Sequence, residues 1–368
     1  MTLQLSNANQ RDRFASAHAI LEQAVVDHAF PGAAYGVLMQ GQVLALDAVG
    51  HFTYEDDSPA VAPETIFDLA SVTKVLATTS AAMLLFDRGI LDLDMPLGEI
   101  LPGFIIGSEH GSGKEHVTMR MLLAHSSGLP AYARLFEQHT SANALLRACL
   151  QMPLEVLPGT RADYSDIGFI LLGKALEVLS GDHLSRFFQR EIFTPLELTS
   201  ACFCPSVQIQ SQIPPTVNDT EFRKRVIQGE VHDEHAFVLG GCAGHAGLFA
   251  NALDVLKFAA CILNNGRTAG GQQLFQPSNV QLFATRQIEP QGTSRALGWD
   301  TPTMPSSSGQ FFSPGSIGHL GYTGTSLWID PQRKLAVVLL TNRTWPDRSS
   351  KLIQQVRPAF HDAVVASL

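Results

Sequence analysis

Residues 71–88 constrain this chain more than any other stretch. Ser71-Val72-Thr73-Lys74 leads into an unbroken run from Val75 to Arg88 with no glycine or proline, and Gly89 follows it. Such a run reads as a helix stopped by glycine. Residues three apart on a helix share a face, so Ser71 and Lys74 project together from the first turn. That turn gathers unpaired N–H groups and the positive end of the helix dipole, which suits a serine that must pass through an oxyanion. This is the only S-x-x-K in the 368 residues. Four-residue patterns also arise by chance, and then Ser71 is an N-cap and Lys74 a solvated surface lysine.

A chain of this length forms two domains, or one large α/β unit with an insertion. With 45% hydrophobic and 16% charged residues it can bury a sizeable dry core. A net charge of −9 argues against a nucleic-acid partner, and there is no basic patch for a membrane surface. No run of about eighteen apolar residues is present, so no membrane span is expected. Met1 to Phe14 lacks the apolar core of a secretory signal. The five cysteines, Cys149, Cys202, Cys204, Cys242 and Cys261, are odd in number and scattered, as free thiols are. Both points favour the cytoplasm, with a periplasmic or extracellular place if a leader is missing.

Apolar patterning puts strands near both ends and helices in the middle. Arg11 to Ala29 reads as an amphipathic helix. Ala33 to Met39 and Gln42 to Val49, split by Gln40-Gly41, read as a hairpin. Helices are expected over Ser165 to Leu179, Asn251 to Asn264 and Ser349 to Val365, and Pro205 to Asp233 is ambiguous and loop-rich. Thr325 to Ile329 and Leu335 to Thr341 are β-branched and apolar, joined by the turn residues Asp330-Pro331-Gln332-Arg333. The expected fold is α/β (α+β). One antiparallel sheet is built from strands of both termini and flanked by helices, with a mainly helical region inserted. Residues 1–90 and 240–368 would form the sheet domain, and 91–239 the insertion.

Two further segments carry candidate chemistry. Tyr164-Ser165-Asp166 lies between the turn Pro158-Gly159-Thr160 and a helix, where a tyrosine hydroxyl can enter a cleft. A nearby cation that favours its phenolate would let it relay a proton to or from Ser71. Without that, it is a buried aromatic followed by a helix cap. His319-Leu320-Gly321-Tyr322-Thr323-Gly324-Thr325 precedes the last strand pair. Its glycines suit close approach of backbone to a ligand, and a strand edge there can offer an N–H to an oxyanion. The plain alternative is a glycine-rich turn with an incidental histidine.

In order and spacing, these three pieces resemble the serine β-lactamase and penicillin-binding protein superfamily, with its S-x-x-K, S-D-N and K-T-G set. Tyr164-Ser165-Asp166 is similar to the Y-x-N element of class C β-lactamases and their relatives, with Asp in the Asn position. His319-Leu320-Gly321 is similar to the histidine variant of K-T-G found in some carboxypeptidases, D-aminopeptidases and esterases. Met121 to Pro130 resembles the "LLxHxSGLP" segment of the family. Val231-His232-Asp233-Glu234 with Gly244-His245-Ala246-Gly247 resembles a subgroup of β-lactamase-related serine hydrolases. The likeness spans about residues 15 to 345.

The resemblance implies acyl transfer. Ser71 attacks a carbonyl carbon, Lys74 and Tyr164 share the proton traffic, and the N–H groups of Ser71 and Tyr322 form the oxyanion hole beside Gly321. Lys74 either keeps Tyr164 acidic or is itself the base. Asp166 orients Lys74 or the substrate amide, and as a carboxylate it accepts only, where Asn also donates. His319 in place of lysine removes a permanent cation and weakens recognition of a substrate carboxylate. The implied partner is a small-molecule acyl substrate, with no cofactor and no assigned metal, and the oligomeric state stays open. The expected activity is a β-lactamase-related carboxylesterase. The alternatives are a D-Ala-D-Ala carboxypeptidase or β-lactamase, and a non-catalytic binding protein on the same scaffold. His232, Asp233, His235 and His245 raise a zinc site as a rival, but their spacing fits no strong zinc motif and Gly240-Gly241 intervenes. An α/β-hydrolase would need a G-x-S-x-G elbow, and the sequence has none.

Overall fold

The structure is a computed structural model that describes residues 12–107 and 111–368, with the backbone of Gln4–Leu5. Arg11, where the first helix was expected to begin, lies outside the described residues, as does most of the segment before it.

A six-stranded sheet joins the two ends of the chain. Its order is Gln4–Leu5, Gln42–Gly50, Gly32–Met39, Leu335–Thr341, Ser326–Asp330, Ile317–Leu320. Leu335 pairs with Met39 and Thr341 with Ala33, so the last long strand docks antiparallel on the first hairpin along its whole length. The expected antiparallel sheet is present, with one difference: the short edge strand Gln4–Leu5 runs parallel to Gln42–Gly50. Ile317–Leu320 is the opposite edge and leads directly into Gly321 and Tyr322.

Strand Leu335–Thr341 is buried throughout. Leu335, Val337 and Leu339 join a core with Phe14, Leu21, Tyr35, Phe360 and Val364, against helices Ala15–Val26 and Ile353–Ala366. Ala336, Val338 and Leu340 face the other core, with Leu256, Phe258 and the apolar residues behind Ser71. A strand covered on both faces must be apolar at every position, and that explains its uninterrupted run. Each large side chain so buried contributes roughly 1.5–3 kcal/mol. The C-terminal helix starts at Ile353, later than Ser349, because residues 343–350 form a bonded loop over the cleft.

The middle of the chain is helix-rich, as read from sequence. Its longest element is Asp166–Ser180, capped by the Ser165 side chain at Gly168 N and ended by left-handed Gly181. The ambiguous stretch before Asp233 holds a short helix, Val207–Gln210, and a small hairpin, Val217–Asp219 with Arg225–Ile227. A second sheet, Phe67–Asp68 with Leu248–Ala250 and Cys202–Phe203, ties the segment before Ser71 to the one after His245. Gly244 packs on the Asp166–Ser180 helix so closely that a Cβ there would lie 2.1 Å from Phe169 O.

Candidate active site

Ser71 does not open a regular α-helix. Ala70–Val72 is a single 3-10 turn, Lys74–Thr79 is wound as a π-helix, and α-helical geometry begins at Ser80. One tertiary and one local side-chain bond accompany this irregular winding. Thr78 Oγ1 donates to Gly244 O at 2.6 Å, and Ser80 Oγ donates to Val75 O at 3.0 Å. Ala70 takes a left-handed φ of 47°, unusual for a residue with a Cβ. Asp68 stabilises that turn: its carboxylate accepts from Ala70 N at 2.8 Å and from His232 N at 2.6 Å. Burial pushes the Asp68 carboxyl up to about 6 despite those two donors. Thr323 Oγ1 and Thr325 Oγ1 donate to Asp68 O and Leu69 O at 2.8 and 2.9 Å, so the turn after the edge strand is fastened to the turn that carries Ser71.

Ser71 Oγ receives two hydrogen bonds, from Lys74 Nζ at 3.0 Å and from the Tyr164 hydroxyl at 2.8 Å. Lys74 has no exposed surface, which excludes the solvated-lysine alternative. Its other acceptors are Asp166 Oδ1 at 2.7 Å and His245 O at 3.1 Å. Burial alone would lower the Lys74 pKa, but the Asp166 and Tyr164 side chains outweigh it and leave the ammonium favoured. Tyr164 moves the opposite way from a phenolate: burial first, and Asp166 next, push it up to about 12 in spite of Lys74. The resting trio is therefore an ammonium and a phenol, both donating to one serine oxygen.

His319 is buried and donates from Nδ1 to Leu320 O at 2.8 Å. Burial, then Lys74 and Arg295, hold its pKa well below the usual value, so the ring is neutral. Ser71, Tyr164, Asp166, His319, Gly321 and Tyr322 line one cleft of about 670 Å³, with Lys74 beneath it. All seven residues singled out in the sequence thus meet at one place.

The chain matches the Beta-lactamase family over residues 17–357. It belongs to that family. It is 33% identical over 366 residues to a protein of Escherichia coli O157:H7 named "Putative D-alanyl-D-alanine carboxypeptidase", covering 91% of this chain and 82% of that protein. It is 32% identical over 351 residues to the "N-acetylmuramyl-L-alanine amidase" of Bacillus subtilis (strain 168), covering 85% of this chain and 77% of that protein. Among solved structures, "EstCE1, a hydrolase with promiscuous acyltransferase activity" has the same fold, with a TM-score of 0.78, 23% identity, and coverage of 97% of this chain and 100% of that one.

Several residues of this Beta-lactamase-family cleft have no role in the sequence reading. His125, inside the segment Met121 to Pro130, accepts from Ser165 N at 3.0 Å and packs its ring 4.7 Å from that of Tyr164. Its place in a recognisable segment was the only signal. Arg295 lies over the other part of the Tyr164 environment, 5.6 Å from the ring centroid. Arg343, Arg348, Lys351 and Arg357 also line the cleft. Arg348 pairs with Glu234, whereas Arg343 donates to the carbonyls of Tyr322 and Ser350, and Arg357 to those of Gly321 and Thr325. Nothing in their spacing along the chain marked them. Of the four residues weighed as zinc ligands, the fold gathers three: donor atoms of Asp233, His235 and His245 lie within 4.8 Å of one another. His232 instead places its ring 5.7 Å from that of Tyr322.

Proposed function

We propose that this chain hydrolyses small esters or amides through an acyl-enzyme on Ser71. The observation that carries the reading is the convergence of Lys74 Nζ and the Tyr164 hydroxyl on Ser71 Oγ at the floor of an open cleft. Whichever of the two first gives up a proton becomes the base for Ser71. Ser71 Oγ then bonds to the carbonyl carbon, and the base passes its proton to the departing alcohol or amine. Water repeats the sequence on the acyl-enzyme. The backbone N–H groups of Ser71 and Tyr322 are the proposed oxyanion donors, at the two turns that Thr323 and Thr325 fasten together. Asp166 serves Lys74 in this scheme, because its carboxylate already accepts from Nζ. All five cysteines are free, which supports a reducing compartment.

A second reading, a carboxypeptidase acting on D-amino-acid peptides, is favoured by the arginines. Neutral His319 supplies no cation, but Arg343 and Arg357 line the same cleft with no carboxylate partner among the described residues, so a substrate carboxylate can still be bound. The name of the Escherichia coli relative, a putative D-alanyl-D-alanine carboxypeptidase, points the same way. One panel tests both: short-chain p-nitrophenyl esters, nitrocefin and D-alanyl-D-alanine peptides, with wild type and Ser71→Ala. Ester turnover that vanishes in Ser71→Ala supports the esterase, and release of D-alanine supports the second reading. Activity that survives in Ser71→Ala removes the acyl-enzyme. No turnover and no adduct on Ser71 leaves a binding protein.

A further inference from the structure

We propose that Asp233, His235 and His245 form a binding site for a divalent ion of the zinc class in the wall of the catalytic cleft. The three residues come from the start of a short helix, Glu234–Val238, and from the loop after it. Between them, Gly240 and Gly241 take positive φ angles of 94° and 87° and turn the chain back on itself. The glycine pair that separates these residues in sequence is thus what folds them together. Asp233 caps the helix, accepting from Ala236 N at 2.8 Å, and contacts His245 Nε2 at 2.7 Å.

The unpaired nitrogens are the independent observation. His235 is fully buried, and among the described residues neither of its ring nitrogens has a hydrogen-bond partner. His245 is 1% exposed, and its Nδ1 is likewise unpaired. A buried polar group left unsatisfied costs roughly 1–3 kcal/mol, so native proteins seldom tolerate several in one place. His235 packs against Tyr132 and Phe136, with ring centroids 5.2 and 5.4 Å away, and neither contact offers it a hydrogen bond. A metal bond satisfies an imidazole lone pair where no N–H or O–H is available.

The donor set suits a borderline ion: two imidazoles and one carboxylate match zinc better than calcium or magnesium, which prefer all-oxygen shells. Ligands about 2.1 Å from a common ion stand at most about 4.2 Å apart. The present limit of 4.8 Å therefore closes with a small rotation of one ring. With the ion on Nδ1, its unpaired nitrogen, His245 keeps its single proton on Nε2 in the contact with Asp233, and no proton is displaced. Three protein ligands leave a position open. Asp233 lines the cleft with Ser71, and His235 and His245 are buried behind it. The backbone carbonyl of His245 also accepts from Lys74 at 3.1 Å, so one of the ion's ligand residues touches the nucleophile's partner directly.

The test uses the full chain stripped with chelator and then titrated with ZnCl₂ by calorimetry, with metal content read by mass spectrometry after dialysis. The expected result is one zinc per chain, weakened at least about tenfold in His235→Ala and in Asp233→Asn, and unchanged in Cys204→Ser. Cys204 is the exposed thiol and the most plausible competing ligand. No stoichiometric zinc, equal binding by the ligand variants, or loss of binding only in Cys204→Ser each overturns the proposal. The wild-type protein loaded with Co²⁺ keeps the test decisive if the variants fail to fold. Intense visible bands of a low-coordinate centre support the site, and the faint spectrum of the hydrated ion overturns it.

Discussion

Asp166 holds the Lys74 ammonium at 2.7 Å in a position where the lysine has no exposed surface. The pair joins the first residue of the Asp166–Ser180 helix to the π-wound turn after Ser71. A buried ammonium without a counter-charge is costly, and removing one partner of such a pair typically costs about 3–5 kcal/mol. Asp166→Ala is therefore expected to lower stability by about 3 kcal/mol, because Asp166 is itself partly exposed and water can relieve some of the loss. Asp166→Asn keeps an acceptor for Nζ and should lose distinctly less. Urea unfolding of the two variants checks the order, and equal stability of Asp166→Ala and wild type would show that the pair does not hold the site together.

Tyr164 contributes a single polar atom to the site, and its ring is held independently by His125. Tyr164→Phe removes the hydroxyl that donates to Ser71 Oγ and leaves the packing in place. Loss of one positioned acid–base group typically costs about 10²–10⁴ in rate. The expected outcome is a fall of that size in kcat, with KM and the unfolding midpoint little changed, measured on a p-nitrophenyl ester. A variant with wild-type kcat would leave Lys74 as the sole proton carrier.

Much of this was legible because local pattern and tertiary outcome agree. Leu335 to Thr341 reads as a strand and is one to the residue, since a run with both faces covered has no polar position to blur it. Ser71 and Lys74 were legible as a pair for the simpler reason that residues three apart share a side in both 3-10 and α windings, and the turn from Ser71 to Lys74 is tight enough to keep them so. What was not legible depends on distant partners. The left-handed Ala70 is imposed by the Asp68 carboxylate, and the π-winding by the Thr78 bond to Gly244. Sequence separation hides the cleft arginines as well, because Arg343 and Arg357 reach the site from the loop and helix that follow the last strand. The phenol state of Tyr164 follows from burial, which no spacing reveals.

Gly321 sits where the edge strand turns against the nucleophile segment. A Cβ at this position would lie 1.9 Å from Thr325 Oγ1 and 2.5 Å from Leu69 O, the carbonyl two residues before Ser71. Neither neighbour can move freely, since Thr325 Oγ1 is bonded to that same carbonyl. Gly321→Ala should cost about 1–3 kcal/mol as an overpacking substitution. It should cost more in catalysis, on the order of 10²-fold in kcat/KM, because it pushes apart the two turns that carry Ser71 and Tyr322. The comparison of kcat/KM with the folded fraction at the same temperature separates the two effects. A loss of activity that only tracks unfolding would mean the spacing of these turns does not matter.

His361 makes the protein sensitive to acid from outside the cleft lining. It lies on the C-terminal helix, fully buried, with Nε2 3.2 Å from Ser326 Oγ and the rings of Phe312 and Phe360 around it. Burial, and then the nearby Arg357, push its pKa down to about 3. In the unfolded chain a histidine titrates near about 6.5. The folded state therefore favours the neutral ring, and between these two values the unfolded chain binds a proton that the folded chain does not. Stability is full above about pH 6.5 and falls as pH drops toward 3, by about 1.4 kcal/mol per pH unit for this group. His125, His232 and His319 are shifted in the same direction and add to the slope. His361→Gln can keep a hydrogen bond to Ser326 but takes up no proton. It should start less stable at pH 7, because the ring packing is lost, and then fall less steeply between pH 6.5 and 4.5, by about one proton's worth of slope. Urea unfolding across that range checks it, and parallel curves for variant and wild type would show that His361 does not charge on unfolding.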